Sequence, residues 1–310
     1  MGPAVIVIDF DPKLHIAGAV VHLQTLALAL VILVSILLTA RLAVVERRRA
    51  SLPGVPFPIS ELADLRLDDL LFLILGAVPG AVIGGRLGAV LANLDYFRAA
   101  PSAILDPGIG SLSLALGVVG GLLSAAYVGR LLGAPLGGWA HVVALPLLFA
   151  LAAGKVALAL GGSGQGLPSD ASWAMAYPGP GPWGSLGPEV PSHPAQLYEA
   201  ATTAAALVLV GLVVALGGFR QRTGAALLTA LSLWATGRAI VADYWRDPAI
   251  VGTLRVEQLV AIAIALGSAV ALVVLVLAPR RRSASPGRRG AAADLTPLPE
   301  WPDPETRPRF

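Results

Sequence analysis

Three cations stand inside otherwise apolar segments of this chain. Arg86 lies in PGAVIGGRLGAVL, Lys155 in ALAAGKVALALGG and Arg238 in LWATGRAIVADYWR. A fourth polar group of this kind is in PSHPAQLYEA, residues 191–200, where His193, Gln196, Tyr198 and Glu199 crowd the boundary of an apolar run. Charged side chains at membrane depth cost kilocalories and face a cavity or a partner. Cations on three separate segments suit an anion site inside a helix bundle, because a phosphate needs converging donors and positive charge. The competing reading is structural: Arg86 pairs with Glu199 or Asp243, or a cation near a helix end snorkels to the interface. Gln196 and Glu199, three residues apart, share one helical face, and Pro194 suits a first helical turn. A good cap and an acidic first turn explain Pro194 and Glu199. They do not ask for His193, Gln196 and Tyr198 as well.

The elements that would position these groups are membrane spans. Of the 310 residues, 13% are charged, about half the share in a soluble domain, and mean hydropathy is +0.76. Residues 14–40, 107–129, 131–154, 200–219 and 258–279 carry no Asp, Glu, Lys or Arg, while 70–94 and 223–242 each carry one Arg. A hydrocarbon core of about 30 Å takes about 20 apolar residues per helix, so the chain reads as an all-α, polytopic integral membrane protein of seven transmembrane helices. Strict alternation over about 10 residues, the mark of barrel strands, is absent.

Arg41, Arg47, Arg48, Arg49, Arg66, Arg130, Arg220, Arg222 and Arg280–Arg282 all fall on one side of this arrangement. Asp9, Asp11, Asp95, Asp106, Asp170, Glu189 and Asp247 fall on the other. Cytoplasmic loops collect Lys and Arg, which puts the N-terminus outside and the C-terminus in the cytoplasm. The first residues lack the basic region of a cleavable signal. Residues 1–279 form the transmembrane domain. The loop 162–194, rich in Gly and Pro with Trp173, Tyr177 and Trp183, forms an outer cap, and 280–310 reads as a disordered, basic and Pro-rich cytoplasmic tail. His141 reads as a structural interfacial histidine, His22 as a hydrogen-bonded interior residue of the first span and His15 as a loop residue. The absence of cysteine excludes a disulfide or thiolate chemistry of its own.

At this point the sequence resembles the bacterial prolipoprotein diacylglyceryl transferases. HPAQLYEA, from His193, is similar to that family's His-Pro-Ser/Thr-Gln-Leu-Tyr-Glu element. PGAVIGGRLGAVLANLDYF is similar to its second-helix Gly-x-Arg segment, and GKVALALGGSGQGLPSD to a fourth-helix signature that begins Gly-Arg. GRAIVADYWRDPAIVGTLRVEQLVAI resembles its sixth-helix Arg, a later Arg near the outer surface and the entry to the last helix. The resemblance runs from about residue 14 to 279. The departures are specific. Lys155 stands where the family has an Arg, followed by Leu158 and Ala159 where the signature has Asn-Phe. SLSLALGVVGG offers Ala115 or Leu116 where a third-helix His-Gly-Gly belongs. Ala242 occupies the position of a sixth-helix Glu, with Asp243 and Arg246 each displaced by one.

The resemblance implies a seven-helix transferase that moves diacylglyceryl from phosphatidylglycerol to the lipobox cysteine thiol of a preprolipoprotein. Its partners are then a lipid, a peptide and the bilayer, with no cofactor, no metal and no nucleic acid. On this reading Arg238, Lys155, His193, Tyr198 and Glu199 are catalytic. Arg238 and Arg86 take the phosphate, with Lys155 as a weaker, non-bidentate cation, and His193 is the base oriented by Tyr198 and Glu199. Arg86, Gln196 and Arg246 bind substrate. The departures leave open a diverged paralogue that binds phospholipid or modifies another acceptor, and a transporter or receptor is the third reading. A retinal-type receptor is excluded, since 256–279 contains no lysine.

Overall fold

The computed structural model describes residues 6–9, 11–16, 18–52, 60–106, 112–177, 190–220, 222–247 and 249–278. Trp183, Glu189, Arg280–Arg282, the middle of the expected cap loop and the expected tail lie outside the described residues. In chain order the elements are β1 (Ile6–Val7), β2 (Lys13–Ile16), β3 (Ala19–His22), α1 (Leu23–Ala50), α2 (Ser60–Ala63), α3 (Leu67–Ala92) and α4 (Leu94–Ala99). After a 3-10 turn at Pro101–Ile104 come α5 (Leu114–Leu131), α6 (Leu136–Ala159), β4 (Met175–Ala176), α7 (Ala195–Ala215) and α8 (Ala225–Val241). A second 3-10 turn, Ala242–Tyr244, leads to β5 (Ala249–Val251), β6 (Leu254–Arg255) and α9 (Val256–Leu277). The chain divides into a unit of Met1–Val276 and a second of Leu277–Phe310.

Among the described residues seven helices are long and apolar enough to cross a membrane: α1, α3, α5, α6, α7, α8 with its following turn, and α9. Consecutive spans run in opposite directions, which gives the bundle two distinct ends. At one end Arg47–Arg49 close α1, Arg130 closes α5, and Arg66, Arg220 and Arg222 flank other helix ends. At the other, the cap end, sit all three strand pairs: parallel β1–β4 and the antiparallel pairs β2–β3 and β5–β6.

The first span begins later than the uncharged stretch 14–40 suggested and runs on to Ala50. Residues 13–22 form the β2–β3 hairpin around Gly18 at φ +83°, and only from Leu23 does the chain become helical. His22 therefore ends a strand and is exposed, not interior. The left-handed glycine and the β-branched residues on each side favour a turn and strands over a continuous helix.

Packing is uneven. A core of Leu148, Val210, Trp234, Ala144 and Ala230 ties α6, α7 and α8 together. Helices α3 and α5 pack on each other backbone to backbone. A Cβ on Gly80 would strike the Gly120 carbonyl and Ser124, one on Gly84 the Leu116 carbonyl, and one on Gly120 the Gly80 carbonyl. Such small-residue seams are how helices associate where lipid removes the hydrophobic drive between them. Ser124 Oγ adds a hydrogen bond to the Gly76 carbonyl at 2.6 Å. This α3–α5 pair meets α1 and α6 at only a few points. The gap is a cavity of about 1100 Å³, larger than the few hundred to about 1,000 Å³ of ordinary ligand pockets. Its lining on α6 extends from Leu136 to Leu158, about 33 Å of helix.

Candidate active site

Four helix ends meet at the cap end of this cavity: the C-terminal turn of α8, the first turn of α9, and the regions just inside the C-terminus of α6 and the N-terminus of α7. Each brings the charge its dipole favours. Lys155 and Arg238 lie near C-termini, Glu199 and Glu257 near N-termini. Gly237 permits the approach of α8 to α7, since a Cβ there would lie 2.9 Å from Thr202. The result is a chain of alternating charge. Lys155 Nζ lies 2.9 Å from Glu199 Oε2, Arg238 Nη1 donates to Glu199 Oε1 at 2.6 Å, and Arg238 Nη2 donates to Glu257 Oε2 at 2.7 Å.

Side-chain exposure falls from 12% at Glu257 through 7% at Lys155 and Arg238 to 0% at Glu199. Isolated charges at that depth would be untenable, and pairing is what keeps them ionised. Lys155 Nζ also sits 4.6 Å from the centre of the Trp245 ring, a cation–π contact. Gly164, at φ +81°, brings the cap loop against that same ring. Lys155, Arg238, Glu257, Trp245 and Asp247 form the polar end of the cavity, whose remaining lining is almost wholly apolar. Arg238 Nε is buried with no hydrogen-bond partner.

The structure brings together only part of the expected site. Lys155 and Arg238 converge, with Glu199 between them. Arg86 does not join them. Its guanidinium donates to the carbonyls of Ile104 at 2.7 Å, Asp106 at 2.9 Å and Ala103, and it lies over Phe97. It stitches the segment after α4 to α3, and it is not among the residues that line the cavity.

His193 is likewise held elsewhere. Its Nδ1 is 3.2 Å from Tyr198 Oη and its ring centre 4.9 Å from that of Tyr244. Tyr198 Oη accepts from Trp173 Nε1 at 2.7 Å, which leaves the Tyr198 proton for His193 Nδ1. Tyr198 thus fixes one nitrogen of the His193 ring. Glu199 does not orient it, because its carboxylate faces Lys155 and Arg238 on the other side of α7.

Gln196 is fully buried beneath the cap. Its Nε2 donates to Tyr177 Oη at 3.4 Å, and Tyr177 in turn donates to the Ala159 carbonyl at 2.8 Å. Burial raises the Tyr177 pKa and keeps it a donor. Arg246 Nε donates to the Gln165 carbonyl at 3.1 Å. Both residues fasten the cap loop to the bundle. His141 is buried on α6 near the arginine end.

Three members of the site were not singled out from sequence: Glu257, Trp245 and Asp247. A charge count would have found Glu257. Two buried cations with Glu199 as their sole counter-ion leave one charge over, and Glu257 opens an otherwise uncharged span.

The comparisons with known proteins agree with this arrangement in family terms. The prolipoprotein diacylglyceryl transferase family model matches residues 14–274. A protein of Nitrobacter hamburgensis is 32% identical over 198 residues, 63% of each chain. One of Rhodopseudomonas palustris is 29% identical over 257 residues, 82% of this chain and 83% of its own. One of Solidesulfovibrio magneticus is 36% identical over 165 residues, 53% of this chain and 57% of its own. All three are named phosphatidylglycerol–prolipoprotein diacylglyceryl transferase. The match to the Nitrobacter hamburgensis protein spans just under two thirds of that relative's length. With a family match that runs from the β2–β3 hairpin almost to the end of α9, this chain belongs to the prolipoprotein diacylglyceryl transferase family.

Proposed function

We propose that this protein transfers diacylglyceryl from phosphatidylglycerol to the lipobox cysteine thiol of a preprolipoprotein, in the bacterial cytoplasmic membrane. The cap end faces outward and the arginine end faces the cytoplasm, following the bias of Lys and Arg to cytoplasmic loops. One observation carries the reading: two buried cations, Lys155 and Arg238, stand at the polar end of an apolar cavity of about 1100 Å³ that follows most of α6. Acyl chains fit the apolar length, and a phosphodiester would meet Lys155 and Arg238 at the charged end.

The sulfur attacks the glyceryl carbon that bears the phosphate. A C–S bond forms, the C–O bond breaks, and the phosphate oxygen leaves with the electron pair as glycerol phosphate. Charge grows on that oxygen, and cations fixed in a low-dielectric site stabilise it far better than water would. Arg238 is the main contributor, since its Nε has a proton to donate and no protein acceptor. Glu199 holds both cations in register.

A second reading, a paralogue that binds phospholipid without transferring it, is favoured by Ala115, which is fully buried in the helical core near the position of the family's third-helix histidine. One experiment separates the two. The host transferase is depleted, this chain is supplied, and a lipobox peptide is examined for the mass gain of diacylglyceryl. The gain is expected, together with its loss in Arg238→Ala. Absence of the gain with phosphatidylglycerol present removes the transferase reading.

A further inference from the structure

We propose that the Asp247 carboxylate is the proton acceptor for the attacking thiol, a role the sequence assigned to His193; this rests on the transferase reading above. The charged groups that line the cavity are Lys155, Arg238, Asp247 and Glu257. Two are cations. Glu257 is bound to Arg238 at 2.7 Å, and Glu199, behind them, is committed to both cations. A carboxylate held in an ion pair is a poor base, since the cation favours its charged form. Asp247 differs. Among the described residues its side chain makes no hydrogen bond or ion pair; only its backbone carbonyl is bound, by Arg255 Nε at 2.8 Å.

Asp247 follows α8 on the loop that carries Trp245, and its side chain is exposed at the mouth of the cavity. The groups whose charge it feels are Glu257 of α9, Arg238 of α8, Lys155 of α6 and Arg255 of β6. Although the residue is open to solvent on one side, the protein on its other side strips part of its hydration and, with the Glu257 charge, pushes its pKa up; the three cations only partly offset this. That direction brings it closer to a thiol near pKa 8.5 and makes it a better base than an ordinary surface aspartate. His193 does not line the cavity, and its Nδ1 faces Tyr198.

The proton balance closes without any further reactant. As the C–S bond forms and the C–O bond breaks, the S–H proton passes to Asp247. The departing glycerol phosphate, whose second pKa is about 6, then takes it and restores the carboxylate. Asp247 must be ionised to act, so the rate falls as pH drops through its raised pKa.

The test uses the full chain in nanodiscs with phosphatidylglycerol and a synthetic lipobox peptide, with transfer read by mass as a function of pH. Asp247→Asn is expected to lose about 100-fold or more in kcat, with KM for the lipid unchanged and the acidic limb of the profile gone. Asp247→Glu is expected to keep part of the rate. Formate is expected to restore rate to Asp247→Ala, which a purely structural aspartate would not show. Asp247→Asn matching wild type at every pH overturns the base while leaving the transferase reading intact. Wild type that transfers nothing while its thermal transition is intact overturns both.

Discussion

Arg238 Nη1 and Glu199 Oε1 lie 2.6 Å apart, with both side chains buried at the junction of α7 and α8. Glu199 offers its second oxygen to Lys155, so one carboxylate holds two cations from two different helices. Removing one partner of a buried pair leaves an uncompensated charge, at about 3–5 kcal/mol. Glu199→Gln strands Lys155 and leaves Arg238 with Glu257 alone; it is expected to cost stability in that range, read as a lower thermal midpoint in detergent, and to abolish transfer. Lys155→Met leaves Arg238 as the one cation for Glu199 and Glu257, so it too should lower the midpoint and reduce transfer. Equal melting of Glu199→Gln and wild type would remove the counter-ion role.

The glycine seam between α3 and α5 gives a prediction about the shape of the cavity. Gly80 touches the backbone of Gly120, and no side chain fits between them. Gly80→Leu forces the two helices apart at about 1–3 kcal/mol and shifts the α3 wall of the cavity. A lower midpoint and a raised KM for phosphatidylglycerol are expected, while the charged end, built on α6 to α9, keeps its kcat. A variant that melts and binds like wild type would show that the close approach is dispensable.

Much of this was legible in the sequence because the bilayer imposes a coarse rule. Uncharged runs of about 20 residues mark spans, and Lys155, Glu199 and Arg238 were visible because charge inside such runs demands a partner. What stayed hidden depended on where each side chain turned. Arg86 has the same sequence signature as Arg238, yet its segment places it near three carbonyls at a chain turn, and they satisfy it locally. Glu257 sat at the edge of a run instead of within it. Asp247 lay in a loop, where an acidic residue is unremarkable until the fold sets it at a cavity mouth. The hairpin at 13–22 stayed hidden because apolar composition identifies a membrane-compatible stretch and says little about strand against helix where that stretch begins.

His193 provides a prediction of little effect. Its ring packs on Tyr244 and Tyr198, and its single hydrogen-bonding neighbour among the described residues is the Tyr198 hydroxyl. His193→Phe keeps the packing and removes one hydrogen bond, a loss of about 1 kcal/mol. The midpoint should fall slightly, while the transfer rate and its pH profile should not move. A vanished or shifted acidic limb in this variant would return the base assignment to the histidine.

Asp247 also makes a prediction about stability, independent of any turnover. Burial and the Glu257 charge raise its pKa in the folded state above the value in the unfolded chain. For a carboxyl with a raised folded pKa, stability is fully present below the unfolded value and is lost as pH rises through the folded one. At neutral pH the ionised Asp247 therefore weakens the fold that it serves. Asp247→Asn removes that charge, so its thermal midpoint should exceed that of wild type near neutral pH, and the gap should close as pH falls below the ordinary aspartate range. A midpoint difference that does not change with pH, or one of opposite sign, would mean that the site does not oppose this charge, and the inactive, stabilised variant expected of a strained active-site base would not be found.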